Sequence, residues 1–439
     1  KLRAGLPRGR AVLYGGLLPA PFAAMPLRRP LLLARAPLYA RFLGFLALLL
    51  GSCGLVGLPA AWLGRVAVLA VLCRRWLRCL RGLPSRQCCS VQGRPLKASM
   101  DGLHTRFLEL YGRPLVEGDG GGSAEDRVRS MQQRLTLPDG QEIAFWDVGP
   151  RDAQHTVLLC NGLGARVAGW TPFLDAMHSE SASWQHCRLL IPEYRGQFAS
   201  VPLVGAEVAV EQIAADFSAL AVALGVQRAA LLCWSTGVQV GLQLALDRPE
   251  LVGSLVLIQG TTGQALDCIL QPPCTIPGVP RLLSAVLRLA PGMLLRGGRR
   301  ETLHGHMLRH TTALERFGRC TLWFFGSDLI PATAVRYGQD ILQTDAHFST
   351  YCGYARALGR HRILARLPEI KAPALIITGT PDFVTPARCS YDMAARLGGP
   401  TELLDDIGGS HYYIFEEPHK VARRVASFWQ SDLLEIAGP

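Results

Sequence analysis

Three side chains in this sequence are of the types, and in the order, needed to make a hydroxyl attack a carbonyl. Ser235 stands in Leu231-Leu232-Cys233-Trp234-Ser235-Thr236-Gly237, between an apolar run, 229–234, and a helix-forming run, 238–246. The first run reads as a buried strand. Only a sharp turn fits between the two. The spacing therefore predicts a strained hinge that lifts the serine above a sheet edge at a helix N-terminus, with Cys233 where this pattern usually carries its first glycine. A serine hydroxyl needs a base to take its proton, and an imidazole base needs a carboxylate to orient it. His411 lies in Gly408-Gly409-Ser410-His411, just past the last predicted strand, and Asp382 lies in 379–386, just past the strand before it. The chain order Ser235, Asp382, His411 is the one expected for a serine on such an elbow. An oxyanion formed by attack on a carbonyl needs two backbone N–H donors. Thr236, next after the serine, is one candidate. Leu163, in Asn161-Gly162-Leu163-Gly164 after the third predicted strand, is the other.

Other residues compete for these roles. Asp267, Asp405 and Asp406 are rival carboxylates, and His419 is a rival base, although Glu417-Pro418-His419-Lys420 reads as the first turn of a closing helix. His304-Gly305-His306 with His310 lacks an accompanying carboxylate pair or cysteine, so it reads as a solvated helix face and not as a metal site. No phosphate-binding Gly-rich loop with a following Lys is present, and the chemistry implies no cofactor.

The elements that must hold these residues alternate between strand and helix from residue 131. Asp139-Gly140, between 134–137 and 142–148, signals a hairpin. Strands follow at 156–160, 188–194, 229–234 and 252–259, separated by helical patterns at 170–177, 207–224 and 238–246. The alternation lapses after residue 260 and resumes with a strand at 374–378, a helix at 387–397, a strand at 402–404 and a helix at 419–429. This predicts an α/β fold with a mostly parallel sheet, helices on both faces, an antiparallel edge and a helical cap inserted over 261–371. The insert carries Leu282, Leu283, Val286, Leu287 and Leu289, and later Trp323, Phe324 and Phe325. Such residues suit either the cap's own core or a pocket for an acyl chain.

Charge divides the chain. Residues 1–98 hold 16 Lys or Arg and no acid, while the other 30 basic residues face 34 acidic ones, a balance of −4. The net +12 thus belongs to a leader, and the mildly acidic body is not built for nucleic acid. Residues 42–64 carry no charge and are long enough to cross a bilayer as a helix. The leader reads as a membrane anchor, as a cleaved targeting segment or as a helical hairpin broken at Pro59. Residues 99–130, with a Gly cluster at 120–122, read as a linker. Thirteen scattered cysteines, an odd number, read as reduced core residues and not as a disulfide framework.

Residues 131–430 resemble the α/β-hydrolase fold family. The resemblance rests on Asn161-Gly-Leu-Gly, Glu193-Tyr-Arg-Gly196, Cys233-Trp-Ser-Thr-Gly237, Gly379-x-x-Asp-x-x-x-Pro386 and Gly408-Gly-Ser-His411. The family usually has His in place of Asn161, Asp in place of Glu193 and Gly in place of Cys233. The resemblance implies hydrolysis of esters, thioesters or amides. Relatives that open epoxides or displace halide use Asp at the elbow, which Ser235 argues against. The expected activity is a membrane-tethered serine hydrolase cleaving lipophilic carboxylic esters. An acyltransferase and a non-catalytic ligand-binding or scaffold protein are the alternatives.

Overall fold

A computed structural model describes residues 100–112, 122–200, 203, 208–269, 278–295, 345–379, 382, 384–406 and 409–436. The segment 1–98 read as a leader, the Gly cluster through Gly121, His304, His306, His310 and Trp323 to Phe325 lie outside the described residues. Among the described residues no helix is long and apolar enough to cross a membrane.

The chain begins with α1 (Met100–Tyr111) and α2 (Ala124–Ser130), then the hairpin β1 (Gln133–Thr136) and β2 (Glu142–Val148). The alternating part runs β3 (His155–Cys160), α3 (Val167–Glu180), β4 (Cys187–Pro192), α4 (Val210–Ala223), β5 (Ala229–Trp234), α5 (Thr236–Asp247) and β6 (Val252–Ile258). Three described helices stand in the insert: α6 (Ala265–Cys268), α7 (Val279–Leu295) and α8 (Asp345–Arg360). The chain closes with β7 (Ala374–Gly379), α9 (Ala387–Ala394), β8 (Thr401–Asp406), α10 (Tyr413–Glu416) and α11 (Pro418–Ile436).

The strands form one sheet in the order β1-β2-β4-β3-β5-β6-β7-β8. β2 pairs antiparallel with both β1 and β4, and every other pair is parallel. From β3 the chain steps to β4 on one side, then returns to lay β5 on the other. The winding therefore reverses between β3 and β5, and in open parallel sheets the crevice beyond the strand ends at such a reversal is where ligands bind. Cys160 and Cys233 are register partners, so the loops after these two strands start side by side.

Strand residues alternate between two cores, as a period of two requires. Val157, Leu159, Leu232 and Val256 pack with α3 and α11 through Trp170, Phe173 and Trp429. Leu158, Leu231, Leu255 and Ile376 pack with α4, α5 and α8 through Phe217, Val240 and Tyr354. Burial on both faces explains why these strands read as continuous apolar runs and not as alternating ones.

Parts of the segment read as a linker are folded onto the body. Phe107 of α1 and Val128 of α2 are buried in the first core, and the Trp146 indole donates to the Val128 carbonyl at 2.9 Å. Arg195, from the Glu193-Tyr-Arg-Gly196 motif, has a structural role. It pairs with buried Asp216 on α4 and, at 2.9 Å, with Asp139 in the hairpin turn.

Candidate active site

Ser235 is the hinge between β5 and α5. Its backbone has φ 56° and ψ −112°, left-handed territory that a residue with a Cβ normally avoids at a cost of ~1–3 kcal/mol. Neighbours enforce it. The Ser235 amide donates to the Ile258 carbonyl at 2.9 Å, and the Val238 amide donates back to the Ser235 carbonyl at 3.1 Å. Two residues on, Gly237 lies so close to β3 that a Cβ would stand 1.9 Å from the Cys160 carbonyl oxygen. The helix can leave the strand this tightly only with glycine there.

The structure brings Ser235, His411 and Asp382 together. His411 Nε2 is 2.9 Å from Ser235 Oγ, and His411 Nδ1 is 2.9 Å from Asp382 Oδ2. An ionised carboxylate only accepts, so Nδ1 carries the proton and Nε2 presents its lone pair to the serine hydroxyl. Asp382 is fully buried but not bare. Its Oδ1 accepts the Val384 and Thr385 amides at 2.8 Å each, and its Oδ2 accepts the Thr385 hydroxyl at 2.8 Å. These donors compensate the burial of the charge and fix which oxygen meets the ring.

The rival residues are engaged elsewhere. Asp267 accepts from Gln264 at 2.9 Å. Asp405 accepts from Tyr391, and Asp406 from Tyr413 and Lys420. His419 stands on the surface 3.2 Å from Glu180.

The other two expected residues flank the same crevice. Among the described residues, the amides of Leu163 and Thr236 donate to no loop or turn carbonyl. The loop holding Leu163 is locked from three sides. Asn161 donates to the Pro192 carbonyl at 2.8 Å, accepts from the Trp170 indole at 2.5 Å, and its carbonyl accepts from Tyr194.

Trp234 and Thr385 hold this geometry and were not read from the sequence. The Trp234 indole donates to the His411 carbonyl at 3.1 Å, and a Cβ on Gly162 would meet the Trp234 ring at 2.4 Å. Trp234 therefore touches both the His411 loop and the Leu163 loop. Nothing in an apolar strand run distinguishes a tryptophan that does this from one that only packs.

A mostly parallel sheet wound on both faces, with a serine on a left-handed hinge at the winding reversal, defines an α/β-hydrolase fold. Residues 157–424 match the model of the alpha/beta hydrolase family. The chain belongs to that family. Among curated relatives it is 26% identical over 258 residues to "Putative carbamate hydrolase RutD" of Stutzerimonas stutzeri, covering 58% of this chain and 84% of that one. It is 27% identical over 276 residues to the magnesium-chelatase 30 kDa subunit of Rhodobacter capsulatus, covering 61% of this chain and 85% of that one. Among solved structures, the esterase EaEST from Exiguobacterium antarcticum superposes with TM-score 0.52 at 18% identity, over 68% of this chain and 100% of its own.

Proposed function

We propose that this chain is a serine hydrolase that cleaves lipophilic carboxylic esters through an acyl-enzyme. Ser235 Oγ attacks the ester carbonyl carbon while its proton passes to His411 Nε2. Asp382 holds the ring in the tautomer that can take it. The Leu163 and Thr236 amides donate to the oxyanion as the carbonyl carbon becomes tetrahedral, the kind of interaction whose single loss costs ~10²–10³-fold in rate. Collapse breaks the bond to the alcohol oxygen, which leaves with the proton from His411. A water, deprotonated by the same ring, then frees the acid and restores Ser235.

The observation that carries the reading is the unbroken hydrogen-bonded chain from Asp382 through His411 to a serine held at φ 56°. A relative named for carbamate hydrolysis and a structural neighbour titled an esterase agree with carbonyl chemistry at such a site. The lipophilic acyl group is supported by α7 of the insert, where Leu282, Val286 and Leu289 stand exposed. The membrane tether rests on the uncharged run 42–64.

The test is labelling by a fluorophosphonate together with turnover of short- and long-chain nitrophenyl esters. Wild type should label at Ser235 and release nitrophenol, faster from the longer chain, and Ser235→Ala should do neither. Equal release by wild type and Ser235→Ala, or none by wild type, would remove the esterase reading.

A further inference from the structure

A second left-handed residue stands beside Ser235 at the sheet edge. Gln259, the residue after β6, has φ 48°. β5 and β6 are parallel partners with Trp234 opposite Ile258, so Ser235 and Gln259 leave neighbouring strands side by side. The peptide that precedes Gln259 serves the serine directly, because the Ile258 carbonyl accepts the Ser235 amide at 2.9 Å. On its other side Gln259 donates its own amide to the Ile377 carbonyl of β7 at 2.9 Å. Its backbone is thus pinned between the strand that ends at the serine and the strand that leads to Asp382.

The Gln259 side chain turns inward and is fully buried. Its Nε2 donates to the carbonyl of Ser410, the residue before His411. The opposite orientation of the amide would set two oxygens against each other, so the donor end faces Ser410. The Oε1 end is buried and, among the described residues, accepts no hydrogen bond. A buried acceptor left unpaired lowers stability. The left-handed backbone lowers it again, since glycine and asparagine adopt that conformation more readily than glutamine. Packing explains neither cost. Reach explains both: glutamine is long enough to bring an amide donor from this backbone to Ser410, and asparagine is one methylene short.

We propose that Gln259 is a positioning residue that fixes the reach of His411 to Ser235. Two consecutive carbonyls of the His411 loop are held from neighbouring strand ends, that of Ser410 by Gln259 and that of His411 by Trp234 at 3.1 Å. The peptide before Gln259 meanwhile holds the serine. A shift at Gln259 therefore moves base and nucleophile relative to each other, across the 2.9 Å between His411 Nε2 and Ser235 Oγ. No proton passes through Gln259, and, being wholly enclosed, it touches no substrate. The inference rests on the serine chemistry proposed above.

Gln259→Met keeps the length of the side chain and removes the donor. The full chain carrying it should turn over a nitrophenyl ester with kcat lower by ~10–100-fold, the scale of a misplaced reacting group, at unchanged KM. Its melting temperature should equal or exceed that of wild type, because the unpaired acceptor is lost with the amide. Gln259→Asn suits the left-handed backbone better but stops short of Ser410, and its kcat should fall as well. Wild-type kcat in either variant overturns the proposal. So does a loss of kcat that comes with a lowered melting temperature in both, which would make Gln259 a stabilising residue only. Where one variant fails to fold, the other decides. The hydrolase reading is judged on wild type: no turnover and no fluorophosphonate labelling there removes that reading and this inference with it, whereas unimpaired variants of an active wild type remove this inference alone.

Discussion

The carboxylate of Asp382 decides which nitrogen of His411 faces Ser235, so its identity as an acceptor matters more than its charge alone. Asp382→Asn should keep the fold and the contact but offer a donor to Nδ1, stabilising the tautomer that points a proton at Ser235. Turnover of a nitrophenyl ester by the purified variant should then drop by ~10⁴-fold with an unchanged melting temperature. Thr385 acts one bond further out, through its hydroxyl on Asp382 Oδ2 at 2.8 Å. Thr385→Val removes one hydrogen bond to a charged group, worth ~1.5–3 kcal/mol, and should lower kcat by ~10–100-fold while KM stays constant. A rise in KM alone would place Thr385 in substrate binding instead. Ser235, Asp382 and His411 were legible from sequence because each stands directly after an apolar run, where a parallel sheet presents its functional loops. Thr385 and the Trp234 indole were not: Thr385 serves Asp382 from within a loop whose pattern fixes only glycine, aspartate and proline, and Trp234 reaches the His411 carbonyl from 177 residues away.

At the level of elements, α5 carries the strain of the site and also anchors the insert. Gly237→Ala would set a Cβ against the β3 backbone, which has no side-chain freedom to yield. Overpacking of this kind costs ~1–3 kcal/mol or more, and an unfolding free energy lowered by that amount in denaturant titration should accompany loss of fluorophosphonate labelling. On the far side of α5, buried His361 holds both ends of the described insert. Its Nε2 is 2.9 Å from Gln243 Oε1 and its Nδ1 is 3.0 Å from Gln239 Oε1, while its backbone carbonyl accepts the Gln264 amide. Asp247 takes the Gln243 NH2, so Nε2 must be the donor. Turned over, the Gln239 amide donates to Nδ1 and accepts from the Thr261 hydroxyl, which satisfies a neutral ring. Burial pushes the His361 pKa below its ordinary 6.5, outweighing the pull of Glu211 and Asp247 in the other direction. A depressed histidine pKa contributes stability that is present above the unfolded value and lost as pH falls through the folded one. Wild type should therefore lose stability from about pH 6.5 downward more steeply than His361→Gln, as followed by denaturant unfolding across that range. The strand positions here were readable from apolar runs alone. Helix α8 was not separated from the rest of the insert, because its packed side mixes Tyr354 and Leu358 with buried His347 and Thr350, and polar core residues erase the apolar period.

For the whole molecule, the charge division along the chain and the fold of the body make separable demands. The body satisfies its own core: β3 to β7 are covered on both faces, and α1 and α2 cap one of them through Phe107 and Val128. Residues 1–98 carry 16 basic residues, no acid and the uncharged 42–64 stretch, a pattern unlike that of the body. A helix of ~20 apolar residues partitions into a bilayer whatever follows it, with basic flanks held at the headgroups. If the leader acts as proposed, full-length chain expressed in cells should stay with the membrane pellet after alkaline carbonate extraction, and a chain beginning at residue 99 should move to the supernatant. The shortened chain should keep its fluorophosphonate labelling and its turnover of short nitrophenyl esters, because every residue given a role in the reaction lies between 161 and 415. Turnover of a long-chain ester supplied in vesicles should fall, since the tether raises the local concentration of enzyme at the surface where that substrate resides. Equal partitioning of the two chains would detach the leader from the membrane and leave the chemistry of the body untouched. Loss of labelling on truncation would instead show that the leader contributes to the fold.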